Sequence, residues 1–530
     1  MRNVLKVSFT LALCFMFFAT SLNPTHVNAA EVKTIEEITN TPGTWYVGLT
    51  PPNVDLDKPP IVFVQGLHGQ AQDWFEETVY YGDNDMYQIA YDNGYRTAFV
   101  QLEDATGGDA ADMWKNGEML ASMLEEINQH FNESVNIVAH SKGGIDTQSA
   151  LIHYDAWQYV NNIVTLSSPH HGTPLADAAN SWWANWIAEL IGYGDEGSLV
   201  LQTGEMENFR NITDNHENAT KNKYFTLAGT DWGPFGSALY SGGLYIWEDN
   251  DGLVPVTSTK LPYAEHIDTL DLNHDNIRIG SEIFSYFDSK LVGTNSTQQE
   301  VMFKSINHEE DIPERLIEGG ELDEGQSVQQ DVYVENDYDS VIFQVWTADD
   351  DTSVELTSPN GEIYDLTSSE YDKSEDTQIF KNATIQQYSI DSPEQGAWKV
   401  TMNSEKKDAY LSMTHFIGEE TIELDKKSLF NTKVKKDSTV RFKVKDAEKW
   451  DMDSFDIDIK AQKSKDKKLK NKKSSDKKNK VKKEKDNELI VDMPEITEPG
   501  TYNITFNISG KTADGNPFKR TIIQSVYIKK

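Results

Sequence analysis

The run Val135-Asn136-Ile137-Val138-Ala139-His140-Ser141-Lys142-Gly143-Gly144 constrains the fold more than any other part of the chain. An apolar strand leads straight into a serine, and two glycines follow after one intervening lysine. Such a run predicts a buried strand that turns sharply into a helix, with the serine presented at the turn. Ala139 and Gly143 lie two positions to either side of Ser141. Their small size lets the turn pass close to sheet and helix.

The surroundings supply alternating strands and helices. Pro60 to Val64 reads as a buried strand ending at Gly66, and Thr97 to Val100 as a second. Asn116 to Phe131 reads as a helix, with Met119, Leu120, Met123, Leu124 and Ile127 on one stripe. A helix over Gly144 to Tyr154 follows the serine, then strands over Val160 to Leu166 and Tyr224 to Gly229. This alternation argues for an α/β unit with a mostly parallel sheet covered on both faces. Near residue 300 the texture changes to short alternating runs such as Val341 to Trp346, Ser353 to Thr357 and Ala397 to Thr401. Two β-sandwich-like units are expected, over 325–420 and 421–530, the second Ig-like, after a linker at 301–324. An internal repeat of the two is not demonstrated, because their spacing differs.

Arg2 and Lys6 precede the apolar run Val7 to Phe18, and Asn28-Ala29-Ala30 offers small residues for cleavage. Residues 1–29 therefore read as a signal peptide and 30–300 as the mature α/β domain, of a secreted, extracellular protein. An uncleaved anchor is the alternative, but the run is short for a span. Cys14, the single cysteine, lies in that run. The expected mature chain thus has no disulfide and no cysteine metal site. The net charge of −38 disfavours nucleic acid as a partner and suits calcium, which takes oxygen ligands. Against that background, residues 463–485 carry 13 lysines without apolar periodicity. They read as a solvated loop between Ile459 and Ile490, either a plain soluble insert or a tether to an anionic cell wall or membrane surface.

The segment Ala139 to Gly144 resembles the nucleophile elbow of secreted bacterial lipases of the α/β-hydrolase superfamily, including the Bacillus type with alanine in place of the first glycine. Gln65-Gly66-Leu67-His68-Gly69, Ser168-Pro169-His170-His171-Gly172-Thr173-Pro174 and Asn250-Asp251-Gly252-Leu253-Val254-Pro255 are similar to the same family. The likeness covers about residues 58–285. It implies an α/β-hydrolase fold with a parallel central sheet, and a serine carboxylic-ester hydrolase of the triacylglycerol lipase kind. No cofactor is required for that chemistry. The histidines that hold zinc in the thermophilic Bacillus-type lipases are absent around Gly107 to Gly117.

A serine hydroxyl needs a base, and the base needs an orienting acid. In this fold the acid follows the serine and the histidine comes last. Asp251 matches the family's acid position, with Asp249 as its competitor in a neighbouring turn. His274 matches the base position, with His266 as an alternative in order alone. His170 and His171 precede the acid and read as organisers of their loop, and His140 as a structural hydrogen-bonding group. The backbone N–H groups of Lys142, at the helix start, and of Leu67, by resemblance, are the expected oxyanion donors.

Trp182, Trp183, Trp186, Ile187, Leu190 and Ile191 form a broad apolar face at helical spacing. This is either a core helix or a lid that offers a greasy face to a lipid surface. The lid reading points to a lipid or other ester substrate at a water interface, with phospholipids and polyesters as alternatives. Asp231 and Asp275 only approximate the calcium site of related lipases, and any such ion would be structural. Two other classes stay open: an adhesion or interaction protein on an inactive hydrolase scaffold, and a secreted peptidase or amidase.

Overall fold

The computed structural model describes residues 38–107, 109–184, 195–292, 313–335, 338–365, 374–376, 383–419, 421–430, 438–464, 481–485 and 487–529. The expected signal peptide, the lid candidates Trp186, Ile187 and Leu190, and most of the lysine-rich insert lie outside them.

The first unit is built on one sheet. Its strands are β1 (Thr44–Val47), β2 (Ile61–Val64), β3 (Thr97–Gln101), β4 (Val135–His140), β5 (Val160–Leu166), β6 (Lys223–Gly229) and β7 (Ala264–Leu270), in the order β1-β3-β2-β4-β5-β6-β7. Only β1 runs antiparallel to its neighbour. β2, β3 and β4 are buried along their whole length, as expected where helices cover both faces. Alternate residues feed two cores: Val62, Val64, Ile137 and Ala139 pack under the helix Met113–Phe131, while Ile61, Phe63 and Val138 face the helix Gly280–Leu291. The first helix starts where the Asp112 carboxylate accepts from the Trp114 and Lys115 amides, and it stops at Asn132 in the left-handed region. From β2 the chain turns to β3 on one side and then crosses to β4 on the other. A crevice opens at the carboxyl ends of β2 and β4, where this class of sheet places its ligands.

Two antiparallel units follow. In the first, β13 (Ser374–Asp376), β14 (Ala383–Asp391), β10 (Ser340–Thr347), β16 (Asp408–Ile417) and β8 (Glu314–Leu322) make one sheet, in that order. It faces a second sheet of β12 (Ile363–Asp365), β11 (Ser353–Thr357), β15 (Gly396–Asn403) and β9 (Ser327–Val334). Phe343 and Trp398 meet between them at 5.6 Å. In the last unit, β17 (Ile422–Leu424), β18 (Thr439–Val444), β21 (Glu488–Asp492) and β20 (Lys482–Lys485) oppose β19 (Trp450–Lys463), β22 (Gly500–Thr512) and β23 (Pro517–Ile528).

Two expectations are corrected here. The linker does not extend to 324, because Glu314–Leu322 is a strand paired along its length with β16. Its alternation is blurred by Gly319 and Gly320, which hid it in the sequence. Likewise, the lysine-rich segment is not loop throughout: Lys482–Lys485 pairs with β21 as an exposed edge, where lysines guard against further pairing.

Both β-units dock on the first unit through a shared apolar core. Leu175, Ala178, Ala179, Leu239, Ile246 and Leu253 from the α/β unit pack with Ile317, Trp346, Ile385, Leu411 and Met413. Around this core, Asn503 donates to the carbonyls of Asp177 and Asn180, and Ser464 donates to Gln202 at 2.5 Å. Asp177 is buried at this seam, and burial pushes its carboxyl up to about 7, against hydrogen bonds from Thr203 and Ser525 and the charge of Lys426. A raised folded-state pKa favours folding below the ordinary carboxylate range, near pH 4, and that contribution is lost as pH rises through about 7. The urea midpoint of the wild type, measured against Asp177→Asn, is therefore expected to fall between about pH 4 and pH 8. A pH-independent difference would contradict this account.

Candidate active site

Ser141 caps β4 and precedes the helix Lys142–His153, with φ 53° and ψ −132°. A non-glycine residue there is strained by roughly 1–3 kcal/mol, and it persists only where its surroundings leave no alternative. The glycines supply those surroundings. A side chain at 143 would run into the Gln65 carbonyl, and one at 66 would reach within 2.9 Å of the Ser141 Cβ. The loop after β2, carrying Leu67, thus lies directly over the serine.

His274 arrives from the loop after β7. Its Nε2 is 3.0 Å from Ser141 Oγ, and its Nδ1 is 2.8 Å from Asp251 Oδ2. Asp251 is wholly buried; its other oxygen accepts from the Leu253 and Val254 amides, and its carbonyl accepts from the His274 amide. These bonds fix the carboxylate, which in turn fixes the imidazole with Nδ1–H toward Asp251 and Nε2 free to accept the serine proton. Asp249, the competing acid, is exposed, and His266, the competing base, bonds Thr226 and Thr269 on the sheet instead. His140 donates to the His274 carbonyl at 2.9 Å, and burial holds its imidazole well below the ordinary range, so it is neutral. His171 bonds the Lys260 carbonyl and His170 lies against Thr165, both away from the serine.

Ser141 and His274 open on a cavity of about 200 Å³, with Asp251 buried behind the imidazole. Leu67, Val79, Leu239 and Leu253 give it apolar walls, while Glu77 and Arg278 stand among its polar lining. Of the lid candidates within the described residues, Trp182 and Trp183 turn toward the last β-unit. The Lys460 ammonium lies 4.4 and 5.0 Å from their ring centres, and the Trp183 indole donates to Asn507.

Little in the local sequence gives the Lys142 side chain a role beyond the residue's backbone N–H. That side chain is fully buried, with Nζ 2.9 Å from Asp146 and 3.2 Å from Asp104. Burial alone would lower the ammonium, but the two carboxylates outweigh it and hold it raised. Burial also pushes Asp146 up to about 7, against the pull of Lys142, and Asn116 donates to both acids. The trio nails the start of the helix beneath Ser141 to the loop after β3. Only the spacing of Lys142 and Asp146, one helical turn apart, hinted at it.

Asp231 and Asp275 do not make a cation site as they stand. Asp275 spends one oxygen on Arg278 and the other on the Tyr80 amide, and Asp231 accepts from Asn273. An arginine on the carboxylate is the reverse of what calcium needs. Among the described residues, the one clustered set of three acids is Asp349, Asp350 and Asp351, far along the chain and bridged by Lys406.

The lipase BlEst2 of Bacillus licheniformis, solved in its propeptide form, is 32% identical to this chain, with a TM-score of 0.73. The match covers 92% of this chain and 98% of that one. The chain belongs to that lipase family. As a family member it is a carboxylic-ester hydrolase with the α/β-hydrolase fold. The same lipase in its mature form is 47% identical, covering 47% of this chain and 99% of its own, with a TM-score of 0.44. A metagenomic carboxyl esterase, MGS0156, is 19% identical over 42% of this chain and 67% of its own, with a TM-score of 0.35. Residues 55–184 match the PGAP1-like alpha/beta domain family. No curated protein matches the chain.

In this hydrolase, Lys142→Met is expected to cost about 3–5 kcal/mol of stability, because it strands two buried carboxylates. Adding Asp104→Asn and Asp146→Asn should recover most of that loss in urea denaturation. Equal instability of the single and triple variants would rule out the charge trio as the cause.

Proposed function

We propose that this hydrolase cleaves lipid esters with Ser141 as nucleophile. His274 takes the Ser141 proton as the hydroxyl attacks the ester carbonyl, and Asp251 stabilises the imidazolium that forms. The backbone N–H groups of Leu67 and Lys142 receive the developing oxyanion. His274 returns the proton to the leaving alcohol, and water then attacks the acyl-enzyme in a second round with the same groups. The observation that carries this reading is the continuous hydrogen-bonded line from Asp251 through His274 to Ser141. Leucine and valine walls on the cavity support an acyl substrate, with triacylglycerols first and phospholipids or polyesters as alternatives. Export through the N-terminal signal peptide belongs to the same reading.

The test is hydrolysis of p-nitrophenyl esters from C2 to C16, with fluorophosphonate labelling alongside. Ser141→Ala should lose both activities and Asp251→Asn should lose about 10⁴ in kcat. A labelled, active Ser141→Ala variant would sink the assignment, and faster turnover of amides than esters would turn it toward a peptidase.

The C-terminal half is, in the same reading, the counterpart of the propeptide named for the Bacillus licheniformis lipase. The α/β unit contains the whole hydrogen-bonded line, while the β-units pack against Leu239 and Leu253, which wall the cavity. They also grip Trp182 and Trp183. A protease site inserted between Val292 and Pro313 should, once cut, raise the rate on emulsified ester several-fold. An unchanged rate after complete cleavage and separation of the halves would refute this role.

A further inference from the structure

The loop that passes over Ser141 is held at one further point. His68, next to Leu67, lines the same cavity, and its backbone stands in the left-handed region at φ 54°. That conformation costs a histidine free energy, so an outside contact must hold it. His68 Nε2 meets Asp195 Oδ2 at 2.5 Å, while Nδ1 has no partner among the described residues.

Asp195 is itself immobilised. It is buried, it accepts from the Ala110 amide at 3.0 Å, and it caps the short helix Glu196–Leu199 by accepting from the Ser198 amide at 2.8 Å. That helix is held where Gly197 donates to the Ala110 carbonyl, and it packs close to the loop over Ser141: a side chain at 197 would lie 3.0 Å from the Leu67 side chain. Burial would raise the carboxyl, but hydrogen bonding and charge from His68, with the Ala110 and Ser198 amides, outweigh it and hold it down at about 2.

We propose that His68 and Asp195 form a positioning pair that fixes the Leu67 amide over Ser141, so that the oxyanion hole is assembled before substrate arrives. Neither side chain exchanges a proton with substrate. The pair anchors one half of the hole, as the Lys142 trio anchors the other. A preorganised donor needs such an anchor, because a displacement of about 1 Å can cost roughly 10² in rate.

This proposal rests on the reading of Ser141 as nucleophile. The experiment compares His68→Asn, Asp195→Asn and the double variant in the full-length chain. Asparagine tolerates the left-handed backbone but cannot span to Asp195. Each single variant should lose roughly 10²-fold in kcat, with KM within about two-fold of wild type. Affinity for an alkylboronate, which forms a tetrahedral adduct on the serine, should fall in parallel, while affinity for a product alcohol stays constant. The double variant should be no worse than either single one. Unchanged kcat and boronate affinity with a merely lowered Tm would overturn the proposal, as would additive losses in the double variant. Failure of the nucleophile reading is separable, because it alone leaves Ser141→Ala active and the wild type blind to boronate.

Discussion

The strained turn at Ser141 is the constraint on which the rest depends. A serine forced to φ 53° between a buried strand and a helix points its hydroxyl out of the sheet, clear of the backbone around it. The strain holds because β4 sits in mid-sheet, with β2 and β5 in parallel register on either side. On the far side, the helix start is pinned by the buried Lys142 ammonium between two acids. Removing either restraint would let the turn relax into ordinary backbone. The geometry of the His274 and Asp251 loops would then have no fixed hydroxyl to meet.

The second organising feature is the five-stranded sheet of the middle unit, which is buried on both faces. Val341, Phe343 and Val345 enter the sandwich core, while Trp346, Leu411 and Met413 face the α/β unit. A sheet built that way cannot stand with one face in water. It buries its outer face on the same leucines that wall the cavity, so the state of the C-terminal half and the shape of the site are physically coupled.

The central sheet and the serine turn were legible because their signals are local. Fully buried strands read as unbroken apolar runs, and the turn demands small residues at fixed offsets. Asp251 and His274 stood ahead of Asp249 and His266 in the sequence by family resemblance alone, and the fold adds the physical reason: Asp249 is solvent-exposed and His266 is turned into the sheet. Glu314–Leu322 escaped notice because its glycines blur the alternation, and its partner β16 lies some ninety residues away. The side chain of Lys142 was missed for a related reason. A lysine in a polar turn usually points to water, and nothing local announces that Asp104 waits beneath it.

From its amino acids alone this chain determined a hydrolase-like sheet, a serine at its apex and two β-rich units to follow, since periodicity and turn chemistry act over a few residues. Folding in three dimensions decided which acid and which histidine reach that serine, where Trp182 and Trp183 lie, and how the halves share one core. Those outcomes depend on contacts between residues tens to hundreds of positions apart, and no short-range pattern records which distant side chain will be buried beside which.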